Sequence, residues 1–316
     1  MTSHRPTAPG TNGVATEGLT SATQAVAIVI PVYRSAPNAL EAIALAQCCK
    51  LLGQYPIILV CTDTFEIRPY LQLCGEHGIE PLVECFDQQC LSSVKAYNQL
   101  LFDRHFYQRF AKYTYILIHQ LDAFVFKDTL TYWCHQGYDY LGAPWFEGSD
   151  ESTAADPLLP WGGNGGLSLR RVGAFMAVLT PPFPRARVRT WDDLWRKYRG
   201  LSLVGKAWRF HRLLHKYLRK SNLYGNYLAT PKMFEDGFFS MVVPRVFPGF
   251  KVAPAAVGMF FAFECQPRRL FVLTARELPF GCHAWERYDP GFWQPFIEAF
   301  GHVMPPARTP DLESRA

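Results

Sequence analysis

One carboxylate of this chain stands where an apolar run meets a loop. Asp122 ends the sequence His119-Gln-Leu-Asp122, which follows that run. Carboxylate oxygens are ligands that hard divalent cations prefer, and a bound cation neutralises the charge of a diphosphate. An Asp in this position also commonly closes a turn or caps a helix. The residue type therefore predicts a metal ligand or a turn residue, and the sequence leaves both interpretations open.

Two more carboxylates, Glu235 and Asp236, are adjacent and open an apolar segment over 235–243 that is typical of a helix. Acidic residues at a helix N-terminus commonly complement the helix dipole and cap its free amide groups. A carboxylate beside a substrate can instead act as a general base that removes a proton from a hydroxyl group. Spacing alone does not separate the two roles.

One histidine late in the chain stands in the sequence Gly281-Cys-His283-Ala-Trp285. A histidine among apolar and aromatic residues is usually packed with both ring nitrogens satisfied. An imidazole is also a common metal ligand, so His283 is a candidate for a second ligand beside Asp122.

A glycine-rich stretch precedes a strand-like segment over 167–170. Four glycines surround one asparagine, which means that the backbone turns sharply or approaches another group closely. The stretch is either a plain loop or an elbow whose amide groups face a substrate. It comprises Trp161, Gly162, Gly163, Asn164, Gly165 and Gly166.

The elements that must position these residues follow from the hydrophobic pattern. Short β-branched or aromatic runs predict strands over 25–32, 56–61, 79–85 and 113–118, and helical spacing predicts helices over 38–52, 69–77 and 92–110. This alternation predicts a Rossmann-like half with a parallel sheet. Ligands of such sheets lie beyond the carboxyl ends of the strands. We therefore expect the site near the residues that follow the strands, which are Tyr33, Arg34, Thr62, Asp63 and 119–122.

Several function classes are disfavoured by what the sequence lacks. No GxGxxG follows the first strand and no P-loop motif occurs, which argues against dinucleotide-binding dehydrogenases and P-loop enzymes. A nucleotidyltransferase would carry a glycine-rich basic loop after the first strand, where this chain has Pro31-Val-Tyr-Arg34. The nine cysteines form no CxxC pair, which favours reduced thiols in a cytoplasmic protein.

The chain of 316 residues is expected to hold one large domain over 25–303, with disordered tails over 1–24 and 304–316. Residues 1–24 contain no apolar block, so we expect neither a signal peptide nor a membrane span there.

The domain is expected to carry a basic helical insertion at about 185–225. Within it, 185–220 holds twelve Lys and Arg residues, and its acidic residues are only Asp192 and Asp193. Apolar residues recur at helical spacing over 203–220. They predict a basic amphipathic helix, either a solvated charged face over a core stripe or a contact with an anionic membrane or acceptor. No nucleic-acid recognition motif accompanies the charge.

The order of these motifs resembles the shared core of GT-A glycosyltransferases, and more narrowly a GT-A-type family catalogued mainly as a domain of unknown function. The resemblance covers about 25–300. It implies a GT-A-like α/β fold with a Rossmann-like N-terminal half and a mixed central sheet. The segments that carry it are His119-Gln-Leu-Asp122-Ala-Phe, Tyr138-Asp-Tyr-Leu-Gly-Ala-Pro-Trp145, Asn164-Gly-Gly-Leu-Ser-Leu-Arg170, Glu235-Asp-Gly-Phe-Phe239 and Phe280-Gly-Cys-His283-Ala-Trp285.

The resemblance also implies roles for individual residues. Asp122 matches the last Asp of the family's DxD metal motif, whose first Asp is replaced here by Gln120, and His283 matches the C-terminal metal-binding histidine. Asp236, with Glu235 beside it, matches the catalytic base of inverting members, and the glycine stretch matches the loop near donor and acceptor. The positions that match or adjoin the nucleotide-binding part are Val32, Tyr33, Thr62, Asp63, Lys95 and Asn98.

Two functions remain open. The first is an inverting glycosyltransferase, assisted by Mn²⁺ or Mg²⁺, that uses a nucleotide-sugar donor in surface glycan synthesis. Its acceptor would be a glycan or a lipid-linked sugar, and the basic helix 203–220 would contact the inner face of a membrane. The second is a non-catalytic protein that binds a sugar or a nucleotide sugar on the same fold, which Gln120 keeps open.

Overall fold

The computed structural model describes residues 25–148, 152–153, 156–190, 193–194 and 202–305. The tail predicted over 1–24 lies outside these residues, as does the tail predicted over 304–316 except for its first two positions. Part of the basic block, 195–201, is likewise outside them.

A six-stranded sheet lies at the centre, in the order β3-β2-β1-β4-β9-β6. β1 is parallel to β2 and β4, β2 is parallel to β3, and β9 is antiparallel to both β4 and β6. The predicted α/β fold class, with a Rossmann-like N-terminal half and a mixed central sheet, is confirmed. The strands of this sheet are β1 Val26–Pro31, β2 Ile57–Thr62, β3 Leu82–Phe86, β4 Tyr115–His119, β6 Tyr140–Gly142 and β9 Leu167–Arg171.

Two small sheets flank the central one. β7 Pro144–Phe146 pairs with β8 Leu158–Gly162. The three-stranded sheet consists of β5 Phe124–Val125, β10 Ala262–Phe263 and β11 Gly281–Cys282, with β11 in the middle.

Helices connect the strands, and the first shows how the sequence sets a boundary. Asn38 accepts hydrogen bonds from the amides of Leu40 and Glu41, and the Glu41 carboxylate accepts one from the Asn38 amide. This capping box begins α1 at Ala39. The described helices are α1 Ala39–Leu52, α2 Arg68–Glu76, α3 Val94–Leu100, α4 Arg104–Arg109, α5 Leu130–His135, α6 Val172–Val178, α7 Leu203–Leu218, α8 Tyr224–Ala229, α9 Glu235–Gly237, α10 Val243–Val246, α11 Ala255–Phe261, α12 Pro267–Leu273 and α13 Pro290–Glu298.

The structure differs from the predicted elements at two helices. The single helix predicted over 92–110 is divided into α3 and α4, because the Asp103 carboxylate accepts from the His105 amide and starts a new helix. The segment predicted as one helix over 235–243 is α9 followed by the π-helical turn Phe238–Val242 and then α10. Pro244 has no amide hydrogen to donate to a regular turn there.

The core lies on both faces of the central sheet. Along β1, Val26, Ile28 and Ile30 pack on one face while Ala27 and Val29 pack on the other. All six β1 residues are buried, as expected for a strand covered by helices on both sides. A third cluster around Trp285 and Trp293 covers the three-stranded sheet. In the described residues, no helix is long and apolar enough to cross a membrane.

Candidate active site

The three-stranded sheet brings three distant residues together. Asp122 lies between β4 and β5, Glu264 directly follows β10, and His283 directly follows β11. His283 Nε2 lies 3.2 Å from Asp122 Oδ1 and 3.1 Å from Gln120 Oε1, while Nδ1 lies 3.0 Å from Glu264 Oε1. The structure therefore places the two predicted metal ligands side by side.

The charges of this cluster are strongly coupled. Burial lowers the pKa of the His283 imidazole, but the carboxylates of Asp122 and Glu264 outweigh burial and raise it to about 10. Burial raises the pKa of the Asp122 carboxyl, but attraction and hydrogen bonding to His283 leave that pKa below its usual value. With no cation present, His283 is therefore an imidazolium held between two carboxylates.

The same atoms fit a divalent cation. Two ligands at about 2.1 Å from one ion and at right angles to each other lie about 3 Å apart, close to the Asp122 Oδ1–His283 Nε2 distance of 3.2 Å. Glu264 accepts from the opposite ring nitrogen, which is the usual way of orienting a metal-binding histidine. In the described part of the chain, no group of three or more His, Cys, Asp or Glu could hold a metal ion. Diphosphate oxygens and water would have to complete the coordination.

The stretch is rich in glycine because neighbouring side chains occupy the space that a Cβ at Gly165 or Gly166 would need. A Cβ on Gly166 would clash with the His283 imidazole, and a Cβ on Gly165 would clash with the Glu235 carboxylate. Asn164 Oδ1 accepts from the Gly166 amide at 2.9 Å, and its Nδ2 donates to Glu264 Oε1 at 2.6 Å. Asn164 thus ties the loop to the carboxylate that orients His283.

Glu235 belongs to a buried ion pair. Arg170 Nη2 donates to Glu235 Oε1 at 2.8 Å, and the two side chains are 0% and 6% exposed. Arg170 also donates to the Tyr107 hydroxyl and the Ser168 hydroxyl, each at 3.0 Å. Within the described structure Glu235 Oε2 has no hydrogen-bond partner. The ion pair with Arg170 therefore anchors Glu235 and, with it, the start of α9.

Asp236 lies beside Glu235 and is only partly buried. Burial raises the pKa of its carboxyl, and repulsion from Glu235 raises it further, to about 7. Gly165 faces both Glu235 and Asp236, and its neighbour Gly166 faces His283. Asp236 and the Asp122–His283 pair therefore lie on two sides of one narrow loop. A carboxyl with a pKa near neutrality suits proton transfer.

A cavity of about 420 Å³ opens at the carboxyl ends of β1 and β4, which is within the size range of ligand sites. Of the residues predicted to bind a donor, Tyr33, Gln120 and Asp122 line it. The rest of its lining is Pro31, Leu91, Ser92, Ser93, Val94 and Tyr97.

The other residues predicted on the donor side lie elsewhere. Val32 packs in the hydrophobic core. Thr62 is buried, with its hydroxyl hydrogen-bonded to that of Thr64, whereas Asp63 and Lys95 are exposed and do not line the cavity. Asn98 accepts from the Glu235 amide at 2.7 Å, so it braces the segment that carries Asp236.

A larger cavity, of about 700 Å³, adjoins the start of the glycine stretch. Trp161, the first residue of that stretch, lines it together with Ser240, one helical turn after Asp236. Its wall is mainly apolar and includes Val188, Leu213, Met233, Met241 and Val252, with the basic residues Arg189, Lys216 and Arg245. The Ser240 hydroxyl is buried without a hydrogen-bond partner in the described structure.

Sequence reasoning missed two residues of the site. Glu264 was not singled out, because it follows a two-residue strand that has no detectable period. Arg170 was part of a motif, but nothing local showed that its partner lies 65 residues away at Glu235. Arg170 lies in an apolar strand, and arginine is almost never fully buried without a partner. Its position in the sequence therefore indicates that an acidic partner lies elsewhere in the chain.

Comparison with known families gives one match. The model of the family described as "Protein of unknown function (DUF5672)" matches residues 81–283, which is more than half of the chain. The resemblance expected from the motifs to a family of unknown function is thereby confirmed. No curated protein matches the chain at a significant level.

Three similar solved structures are a mannosyltransferase, a galactosyltransferase and a mannan synthase. The mannosyltransferase Ktr4p from S. cerevisiae is 12% identical, with a TM-score of 0.31, and the similarity covers 40% of each chain. The galactosyltransferase LgtC, in complex with donor and acceptor sugar analogs, is 10% identical over 88% of this chain and 97% of that one, with a TM-score of 0.44. Core-mannan synthase A (CmsA/Ktr4) from Aspergillus fumigatus, in a Mn/GDP form, is 10% identical over 74% and 71%, with a TM-score of 0.39. Scores this low assign neither an activity nor site residues to this chain.

Proposed function

This chain belongs to the DUF5672 family, and we propose that it is a glycosyltransferase that moves a sugar from a nucleotide-sugar donor to an acceptor hydroxyl. One observation carries the proposal: His283, paired with Asp122, lies against Gly166, and Asp236 lies against the adjacent Gly165, while Asp122 lines one cavity and Trp161 lines a second. That geometry offers a cavity for a donor, a cavity for an acceptor, and a carboxylate beside the loop.

The smaller cavity is the proposed donor site. Tyr33 presents a partly exposed ring at its rim, which suits stacking against a nucleotide base. Asp122 and Gln120 line the same cavity and face His283, so a diphosphate would lie against this cluster. Asp122 and His283 are the proposed ligands of Mn²⁺ or Mg²⁺. When bound, the cation would neutralise the charge of the departing nucleoside diphosphate.

Asp236 is the proposed general base. It accepts the proton of the acceptor hydroxyl while that oxygen attacks the anomeric carbon and the bond to the diphosphate breaks. A single displacement of this kind inverts the configuration at the anomeric carbon. A pKa of about 7 leaves Asp236 substantially ionised at neutral pH while making it a stronger base than an ordinary carboxylate.

The larger cavity is the proposed acceptor site, because Trp161 and Ser240 connect its wall to the glycine loop and to the helix of Asp236. Its wall is mainly apolar and carries Arg189 and Lys216 beside the ion pair of Arg245 with Asp193, so its net positive charge fits an acceptor that has both apolar surface and negative charge. A lipid-linked glycan in the synthesis of a surface polysaccharide has this chemistry.

A second candidate function is non-catalytic binding of a nucleotide sugar. It is favoured by Gln120, a neutral residue at a position where an acidic one would strengthen cation binding. The close ion pair of His283 with Asp122 points the same way, because a cation must displace the imidazole proton before it binds.

The two functions are separated by donor turnover. The full chain is incubated with a panel of nucleotide sugars, with and without Mn²⁺, and release of nucleoside diphosphate is measured. A transferase releases diphosphate from one donor, faster with its acceptor present. Tight donor binding in a thermal-shift assay, without release from any donor under any condition, would exclude the proposed transferase and support the binding protein.

A further inference from the structure

The helix α7, Leu203–Leu218, presents apolar side chains to solvent. Val204 is 80% exposed, Trp208 63%, Leu218 54% and Leu214 37%. At 3.6 residues per turn these four positions fall within about 120° of the helix circumference. Leu213 lies on the opposite side and is buried. The apolar face therefore points away from the core. The sequence also allowed these apolar residues to pack into the core, and the structure does not place them there.

Two arginines lie beside the Trp208 ring of this face. The helix contains Lys206, Arg209, Arg212 and Lys216 and no Asp or Glu. The guanidinium carbons of Arg209 and Arg212 lie 5.7 Å and 5.3 Å from the centre of the Trp208 ring. Arg219 and Lys220 follow directly after the helix. An exposed apolar face is thus combined with positive charge beside Trp208, and two further basic residues follow the helix.

We propose that α7 docks the protein onto an anionic lipid surface, with its apolar face inserted at the boundary between headgroups and acyl chains. An amphipathic helix with Lys and Arg beside its apolar face and a Trp within it has the features of interfacial membrane helices. Its 16 residues are shorter than the roughly 20 needed to cross a bilayer, so it would lie along the surface. Basic residues next to that surface are attracted by anionic headgroups.

Charge complementarity selects this occupant over a second copy of the chain. Two copies that met through this face would bring Arg209 and Arg212, which lie beside Trp208, close to the same residues of the other copy, with no acidic residue on either helix. Like charges at close range oppose such an interface. An anionic lipid surface offers both an apolar layer for Trp208 and Leu218 and negative charge for the arginines.

The inference goes beyond the proposed function and is tested without any activity. The full chain is floated with vesicles of phosphatidylcholine, with or without phosphatidylglycerol. We expect binding to the anionic vesicles to be at least about tenfold tighter than to the neutral ones, and to weaken with added salt. Absence of binding to anionic vesicles, or equal binding to both kinds, would overturn the proposal.

Two variants locate the contact. The double substitution Trp208→Glu and Leu218→Glu is expected to lower partitioning onto anionic vesicles at least about tenfold, because it removes apolar surface from the inserted face. Val272→Glu with Leu273→Glu is the matched control, since these residues are 68% and 49% exposed on α12, and it is expected to bind as the native chain does. Equal loss in both variants, or none in the double variant, contradicts a role for α7.

Two further double variants test the role of positive charge without changing the apolar residues. Arg209→Gln with Arg212→Gln is compared with Arg68→Gln and Lys112→Gln, which lower the net charge equally at exposed positions elsewhere. Only the first pair is expected to weaken anionic binding, and equal weakening by both pairs would show nonspecific attraction and refute the proposal. Circular dichroism melting curves verify that each variant is folded. A lipid-free dimer that the Trp208→Glu and Leu218→Glu variant abolishes would show that a second copy covers the face instead.

Discussion

Gly166 leaves no room for a side chain beside His283, because a Cβ at that position would overlap the imidazole ring. The absence of a side chain at one residue therefore fixes the position of a ring 117 residues later in the chain. This close approach explains why the stretch that follows Trp161 is rich in glycine.

Gly166→Ala should displace His283 and disturb the Asp122–His283 pair. We expect a loss of stability of about 1–3 kcal/mol from overpacking, together with weaker Mn²⁺ binding. Denaturant unfolding and a Mn²⁺ titration measure the two effects. Gly173→Ala is the matched control, because nothing lies within 4 Å of the added methyl group, and it should leave both quantities nearly unchanged. Native-like Mn²⁺ binding by Gly166→Ala would show that Mn²⁺ affinity does not depend on the position of the His283 ring.

Asp236→Asn removes the proposed base while retaining its shape. We expect kcat to fall by about 10²–10⁴-fold with little change in donor affinity, since general base catalysis contributes in that range. Steady-state kinetics and donor titration give both values. Glu80→Gln, at an exposed position on the surface, should behave as the native enzyme does. Full activity in Asp236→Asn would assign the proton transfer to another group.

The pH dependence of turnover should report the same carboxyl. Its pKa is raised to about 7 by burial and by repulsion from Glu235, and only the ionised form can accept a proton. We therefore expect kcat to rise as the pH increases through about 7 and to level off above it. The residual rate of Asp236→Asn should lack this step. A native profile that is flat from pH 6 to 8 would contradict the assignment.

Glu264 is a positioning residue that acts through His283. Glu264→Ala removes the hydrogen bond to Nδ1, and we expect Mn²⁺ affinity to fall by about 10–100-fold, as is typical for residues that orient a metal ligand. Glu264→Gln keeps an acceptor oxygen and should recover part of that loss. Calorimetric Mn²⁺ titration distinguishes the variants, with Glu277→Gln as an exposed control. Unchanged affinity in Glu264→Ala would separate Glu264 from the cation site.

The buried Arg170–Glu235 pair should dominate the stability of the loop. Glu235→Leu leaves the guanidinium of Arg170 buried without its partner, and we expect a loss of about 3–5 kcal/mol in the free energy of unfolding. The double variant Arg170→Met with Glu235→Leu should be more stable than Glu235→Leu alone, because no charge remains buried. Urea unfolding of the single and double variants checks this. Additive losses would mean that the pair is not coupled.

Local sequence determined much of the framework. Runs of buried β-branched residues specify β1, β2 and β4, because a strand covered on both faces must be apolar throughout. Asn38 and Glu41 specify where α1 begins. The position of Asp122 at the carboxyl end of β4 also follows from the sequence, since the ends of parallel strands share one edge of the sheet.

Tertiary structure decided which residues meet at that edge. Glu264 and His283 reach Asp122 through two-residue strands, which are too short to show a period and form only when β11 pairs with β5 and β10. Glu235 and Asp236 have the same side-chain chemistry, yet successive positions on a helix point in different directions. One carboxylate enters the buried pair with Arg170, and the other remains half-buried beside Gly165. Such partners are far apart in the chain, so they depend on packing that no local pattern encodes.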